Sequence, residues 1–85
     1  MYSITFSKTA LKALRKAPAA VSMRIREALD RLAENPDRLD LDVKRLQGRA
    51  GYRLRVGSYR VIYDREDPIR VLAVIDLGPR GDVYK

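Results

Sequence analysis

The chain has 85 residues with a formal charge of +7, from 18 basic and 11 acidic residues, and it contains neither cysteine nor histidine. A chain of this length forms a single domain, expected over residues 1–85, and the missing residue types exclude disulfides, thiolate chemistry, the usual zinc sites and an imidazole base, so no metal or other cofactor is expected. The excess of arginine favours nucleic acid or an acidic protein as a partner, with a generic basic protein as the alternative.

The first half of the chain is expected to form one strand and two helices. The segment "YSITF" (2–6) alternates and is rich in residues that favour strands. Ser7 is a suitable N-cap for a helix over residues 8–17, which carry leucines at helical spacing. A second helix ends at Asn35 and has one apolar stripe, formed by Val21, Ile25, Ala28, Leu29 and Leu32.

The second half is expected to form a three-stranded antiparallel meander. Residues 37–51 are predicted to be a polar connection, acidic at first and basic from Lys44 onward. Three strands should follow, with the turn "REDP" between the last two, at 51–56, 59–65 and 70–77. The predicted fold class is therefore α+β: an N-terminal strand, an α-helical hairpin and the meander, with the helices packed on one face of a small antiparallel sheet.

Neither a secretion signal nor a membrane span is predicted. The N-terminal "MYSITFSKTA" lacks the apolar segment of a signal, and no apolar run approaches the ~20 residues of a membrane helix. We therefore expect a cytoplasmic protein without a membrane partner.

The segment "YRLRVGSYRVIY" (52–63) predicts a hairpin with arginines on one face. Glycine at the first central position of a two-residue loop is typical of a type II′ turn, which requires Gly57 at positive φ. In that register Arg55 lies directly opposite Arg60, and Arg53 lies on the same face. Facing like charges repel within a sheet, so we interpret this face as the site of a phosphate-bearing ligand. A solvated strand face is the alternative.

The last predicted strand leads into "GPRGDVYK". Gly78 and Pro79 end the strand, and Arg80 and Tyr84 follow. If this strand pairs beside 59–65, we expect Arg80 and Tyr84 near the arginine face. The alternatives are a solvated arginine in a turn and a tyrosine packed on the sheet edge.

With these segments in place, the chain resembles the RelE/ParE superfamily of toxins from bacterial type II toxin–antitoxin modules. The specific parts are "YRLRVGSYRVIYD" and the closing "VIDLGPRGDVY", and "VKRLQG" before the sheet also matches. The resemblance implies a compact α+β fold and, for RelE-like members, a metal-independent ribonuclease that cuts mRNA, typically in the ribosomal A site. It also implies a cognate antitoxin that wraps the toxin and through which the toxin mainly oligomerises.

The same resemblance implies the site residues. Arg60, Arg80 and Tyr84 correspond to the catalytic set. Arg53 and Arg55 correspond to the basic positions on the first hairpin strand and are expected to bind RNA. Lys44 and Arg45, which precede the hairpin, are expected to bind RNA as well. Pro79 stands where some relatives have a histidine. Because arginine is always protonated, the arginines stabilise charge, and Tyr84 is the candidate for a weak base.

Two other functions remain open on the sequence. A ParE-like member is an inhibitor of DNA gyrase rather than an enzyme, although gyrase poisoning does not call for the Arg/Tyr set. A binding module for nucleic acid or protein, without catalysis, is the third reading.

Overall fold

The chain builds one strand, two helices and then four more strands. The structure is a computed structural model, and it describes residues 1–79. The strands are β1 (Ser3–Phe6), β2 (Asp42–Arg45), β3 (Tyr52–Val56), β4 (Tyr59–Glu66) and β5 (Val71–Pro79). The helices are α1 (Lys8–Lys16) and α2 (Ala19–Glu34). A short 3₁₀ turn covers Asp67–Ile69, so it overlaps the second half of the expected turn, whose first half belongs to β4.

The helix boundaries confirm the predicted capping residues. The Ser7 hydroxyl accepts a hydrogen bond from the backbone N–H of Ala10 (3.0 Å) and donates to the backbone carbonyl of Ile75. The same side chain therefore caps α1 and ties its start to β5. The second helix begins directly after Pro18, and Asn35 is its C-cap. Within residues 1–79 neither helix is long and apolar enough to span a membrane.

The sheet contains the predicted meander but is mixed rather than purely antiparallel. Its strand order is β1-β5-β4-β3-β2, and β3, β4 and β5 pair antiparallel in sequence order. The N-terminal strand pairs with β5 in parallel, with Ser3 opposite Val71. Along the chain, two helices and three strands separate β1 from β5. This long connection permits the two strands to pair in parallel, which a short hairpin loop does not.

The segment predicted to be a polar connection contains the edge strand β2. Only Val43 of its four residues contacts the core, and the other three are exposed. An edge strand needs little apolar surface because one side of it faces solvent. Its pairing with β3 sets Asp42 opposite Arg55 and Lys44 opposite Arg53.

Both helices cover one face of this sheet. Their apolar stripes meet the side chains that alternate strand residues direct to that side. The buried cluster consists of Ala10, Leu14, Ile25, Ala28, Leu29, Leu32 and Ala33 from the helices, and Leu54, Val61, Tyr63, Leu72, Val74 and Leu77 from the strands. The helices do not cover the opposite face of the sheet.

A polar cluster joins the loop after α2 to the turn between β4 and β5. The Arg65 guanidinium donates to the carboxylates of Asp37 (2.8 Å) and Asp67 (3.1 Å). The Tyr2 hydroxyl donates to Asp67 as well (2.9 Å). The hydrogen bond from Arg65, reinforced by that from Tyr2, lowers the pKa of the Asp67 carboxyl from its usual 3.8.

This cluster predicts an acid-dependent contribution to stability. Because the pKa of Asp67 is lower in the folded chain than in the unfolded chain, the contribution is present above the unfolded pKa and lost as the pH falls through the folded pKa. Urea midpoints of the wild type should therefore exceed those of Asp67→Asn at about pH 6, and the two should converge as the pH falls through the folded pKa of Asp67. A difference that stays constant over this range would contradict the ion-pair interpretation.

Candidate functional site

The hairpin of β3 and β4 places the predicted arginines as the sequence indicated. Gly57 has φ 59°, as a type II′ turn requires. Arg55 pairs with Arg60, and the next pair, Val56 with Tyr59, closes the turn. The predicted register and glycine conformation are therefore confirmed.

Alternation along the two strands separates the arginines from the core. Leu54 and Val61 pair with each other and point into the helix-covered core. Their neighbours Arg53, Arg55 and Arg60 therefore lie on the opposite face of the sheet. We call these three residues, together with Lys44 of β2, the arginine face.

The members of the arginine face differ in exposure. Arg53 is buried, with 6% of its surface accessible, whereas Arg55 is exposed and Arg60 is partly buried. A hollow of about 310 Å³ lies at the turn and is lined by Arg55, Gly57, Ser58 and Arg60. Two guanidinium groups that border one hollow suit an anion with several oxygens, such as phosphate.

An acidic residue joins the arginine face, and sequence reasoning missed it. Asp42 of β2 accepts a hydrogen bond from Arg53 (Nη2 to Oδ1, 2.9 Å), and its Oδ2 lies 3.7 Å from Nε of Arg55. This carboxylate neutralises the charge of Arg53 and lies at longer range from Arg55. Asp42 precedes the hairpin by ten residues and reaches the arginine face through the pairing of β2 with β3. The sequence could have indicated this position only if β2 had been predicted.

The structure separates Lys44 from Arg45. Lys44 lies beside Arg53 on the arginine face. Arg45 belongs to the other side of β2, and its guanidinium carbon lies 5.8 Å from the ring centroid of Tyr52, in a cation–π arrangement. Both residues still line an edge cavity of about 240 Å³ with Arg53.

The remaining predicted site residues follow the end of β5. The strand pairs antiparallel beside β4 as expected. It continues through Gly78 and Pro79, which were predicted to end it, with Gly78 opposite Arg60 and Pro79 opposite Tyr59. Arg80 and Tyr84 lie outside the described residues. Their placement near the arginine face stays a prediction.

Among the described tyrosines, Tyr63 can be excluded as a base at neutral pH. It is fully buried in the core, and its ring stacks on Tyr52 with centroids 5.5 Å apart. Burial raises the pKa of Tyr63 to about 12. A phenol with so high a pKa is almost wholly protonated near pH 7, and it lies on the side of the sheet away from the arginine face.

Comparisons with known proteins give one consistent result. Residues 4–84 match the family described as ParE toxin of the type II toxin–antitoxin system parDE. The toxin fold of the RelE–RelB complex from Pyrococcus horikoshii OT3 superposes with a TM-score of 0.81 at 36% identity, covering 95% of this chain and 97% of that one.

Two further solved structures agree. The isolated RelE toxin of Escherichia coli superposes with a TM-score of 0.80 at 26% identity, covering 94% of this chain and 85% of that one. The toxin–antitoxin complex RelBE2 from Mycobacterium tuberculosis gives a TM-score of 0.78 at 27% identity, with coverages of 93% and 98%. The chain therefore belongs to the RelE/ParE family of toxins from type II toxin–antitoxin systems.

Proposed function

We propose that this toxin is an endoribonuclease that cleaves mRNA on the arginine face. The observation that carries the proposal is the pair Arg55 and Arg60, opposite each other on the sheet face away from the helices and bordering one hollow. Gyrase poisoning gives no reason for such a pair, whereas a scissile phosphate needs donors on more than one of its oxygens.

The chemistry would use the ribose 2′-hydroxyl as the nucleophile. That hydroxyl loses a proton and attacks the adjacent phosphorus, the charge on the phosphorane is stabilised, and the 5′-oxygen leaves with a proton. Arg60 and Arg80 would stabilise the phosphorane, because a guanidinium donates two parallel hydrogen bonds and cannot act as a base. The products are a 5′-hydroxyl and a 2′,3′-cyclic phosphate.

Tyr84 is the proposed base. Neighbouring guanidinium groups favour a phenolate electrostatically, and histidine is absent from the sequence. A phenol is a poor base near pH 7, so cleavage of free RNA should be slow. Positioning of the mRNA by the ribosome would supply the missing acceleration, since orientation contributes about 7–11 kcal/mol in favourable cases.

Tyr84→Phe separates proton transfer from packing. The substitution keeps the ring and removes the O–H, so a tyrosine that acts as base should lose mainly the chemical step. We expect the single-turnover rate on programmed ribosomes to fall by about 10²-fold, with ribosome binding nearly unchanged. Tyr59→Phe is the matched control at the hairpin. A rate near that of the wild type for Tyr84→Phe would assign this residue to packing.

A cognate antitoxin is the proposed protein partner. The similar toxins from P. horikoshii and M. tuberculosis were each solved in complex with an antitoxin. An antitoxin segment that covers the arginine face, or displaces an element of the site, would silence the toxin in the cytoplasm, where mRNA and ribosomes are found.

Expression of the toxin alone distinguishes the ribonuclease from a gyrase inhibitor. The family description names ParE, so a gyrase supercoiling assay belongs beside primer extension on cellular mRNA. We expect new mRNA ends and normal supercoiling. Altered supercoiling with intact mRNA would overturn the proposal in favour of a gyrase poison, and neither effect would favour a binding module.

A further inference from the structure

We propose that Asp42 gives the two neighbouring arginines different roles: it holds Arg53 as a neutralised support and leaves Arg55 as the guanidinium that meets RNA phosphate. This inference rests on the proposed function and assigns positions within the same site. Asp42 is then a positioning residue of the arginine face, and it touches neither the scissile phosphate nor the 2′-hydroxyl.

Arg53 is buried and is paired with Asp42. Only 7% of its side chain is exposed, and its Nη2 lies 2.9 Å from the carboxylate of Asp42. A buried guanidinium is costly unless an anion lies close to it. Its Nε is buried without a hydrogen-bond partner among residues 1–79, and Asp42 is the one carboxylate that pairs with Arg53 there. Exchanging this contact for a phosphate would leave Asp42 beside the phosphate, with two anions in repulsion.

Arg55 is exposed and only weakly paired with Asp42. Its side chain is 45% exposed, and the 3.7 Å between its Nε and Asp42 is too long for a hydrogen bond. In the part of the chain that the structure describes, this is the only ion pair of Arg55. Such an exposed, long contact contributes little, so a phosphate can replace it at small cost. Arg55 also borders the hollow it shares with Arg60.

Pairing with Asp42 leaves different net charges at Arg53 and Arg55. The pair of Arg53 and Asp42 is neutral as a unit, whereas Arg55 presents a net positive charge. Binding of single-stranded RNA releases about 0.7 counterion for each phosphate that the protein neutralises. The pair of Arg53 and Asp42 should therefore contribute nothing to the salt dependence of RNA binding, whereas Arg55 should contribute. The carboxylate of Asp42 would also repel phosphate from Arg53 and direct it to the hollow between Arg55 and Arg60.

The experiment measures binding without cleavage. A fluorescent single-stranded RNA carrying 2′-O-methyl groups at every ribose cannot supply the nucleophile, and its anisotropy is followed over a series of salt concentrations. Arg55→Ala should reduce the slope of log K against log salt by about 0.7. Asp42→Asn/Arg53→Met removes the neutral pair as a unit and should leave that slope at the wild-type value, whereas Arg53→Ala alone would free the carboxylate of Asp42 to neutralise Arg55.

Asp42→Asn provides the complementary result. Loss of the carboxylate uncovers the charge of Arg53, so binding at low salt should tighten by about two- to fivefold and the slope should steepen by up to about 0.7. Asp30→Asn is the matched control, since it changes the net charge equally at an exposed position on α2. It should alter both quantities much less.

Two outcomes would overturn the inference alone: a slope for Asp42→Asn/Arg53→Met that falls as far as that of Arg55→Ala, or an Asp42→Asn variant that behaves like Asp30→Asn. If the double variant does not fold by circular dichroism, the comparison of Asp42→Asn with Asp30→Asn decides. Absence of RNA binding by the wild-type toxin would instead overturn the proposed function, and this inference with it.

Discussion

Arg60→Ala is expected to lower the single-turnover rate of RNA cleavage by about 10²-fold or more, the scale of losing one preorganised donor from an anion-stabilising site. Arg60 is held between Arg55 on one side and Gly78 on the other, in the middle of paired strands. Its backbone is therefore fixed by neighbouring strands on both sides. Arg60→Lys should recover only part of the rate, because an ammonium group cannot form the two parallel hydrogen bonds of guanidinium.

The measurement uses programmed ribosomes, with binding followed separately. Arg15→Ala is a suitable control, since it removes an exposed arginine from α1 on the helical side. Arg80→Ala should resemble Arg60→Ala. Cleavage at the wild-type rate by both Arg60→Ala and Arg80→Ala would exclude the proposed ribonuclease site. It would favour the gyrase-inhibitor and binding-module functions.

Gly51→Ala is expected to be the most destabilising alanine substitution among Gly48, Gly51 and Gly57, by about 3 kcal/mol. Gly51 has φ +114°, outside the region that other residues adopt readily. A methyl group there would lie 2.8 Å from Oδ1 of Asp64 and 3.3 Å from the backbone oxygen of Tyr63. Strain and overlap therefore act together. A domain of this size has a total stability of only about 4–13 kcal/mol, so the loss should be easily seen.

Gly48→Ala is the matched control in the same loop. Gly48 has φ +75°, and nothing lies within 4 Å of the position that its methyl group would take. Gly48→Ala should lower the free energy of unfolding by only about 1 kcal/mol, the strain of a left-handed backbone at a residue with a side chain. Urea midpoints at constant m-value compare the two variants. Equal losses would mean that the contact with Asp64 relaxes freely and that strain alone operates.

The sequence predicted the hairpin well because its determinants are local. A glycine at the first loop position fixes the turn, and the turn fixes the register, so the pairing of Arg55 with Arg60 followed from a few adjacent residues. The start of α1 at Ser7 and the end of α2 at Asn35 were predictable for the same reason, since capping depends on single residues.

What the sequence did not predict depends on pairing over distance. The segment "DVKR" has one apolar residue and no alternation strong enough to indicate a strand, so β2 forms because β3 offers it an edge. Asp42 reaches the arginine face only through that pairing. The raised pKa of Tyr63 likewise comes from burial in the assembled core, which no neighbouring residue reveals.

The parallel pairing of β1 with β5 has a consequence for biosynthesis. Residues 3–6 cannot find their partners until residues 71–74 have left the ribosome, because the register joins these two segments. The hairpin carrying Arg55 and Arg60 can form early from local contacts, but the nascent sheet keeps an open edge on β4 until β5 arrives. Closing so long a loop slows folding. The five-stranded sheet is therefore completed only once β5 is available to pair with both β4 and β1.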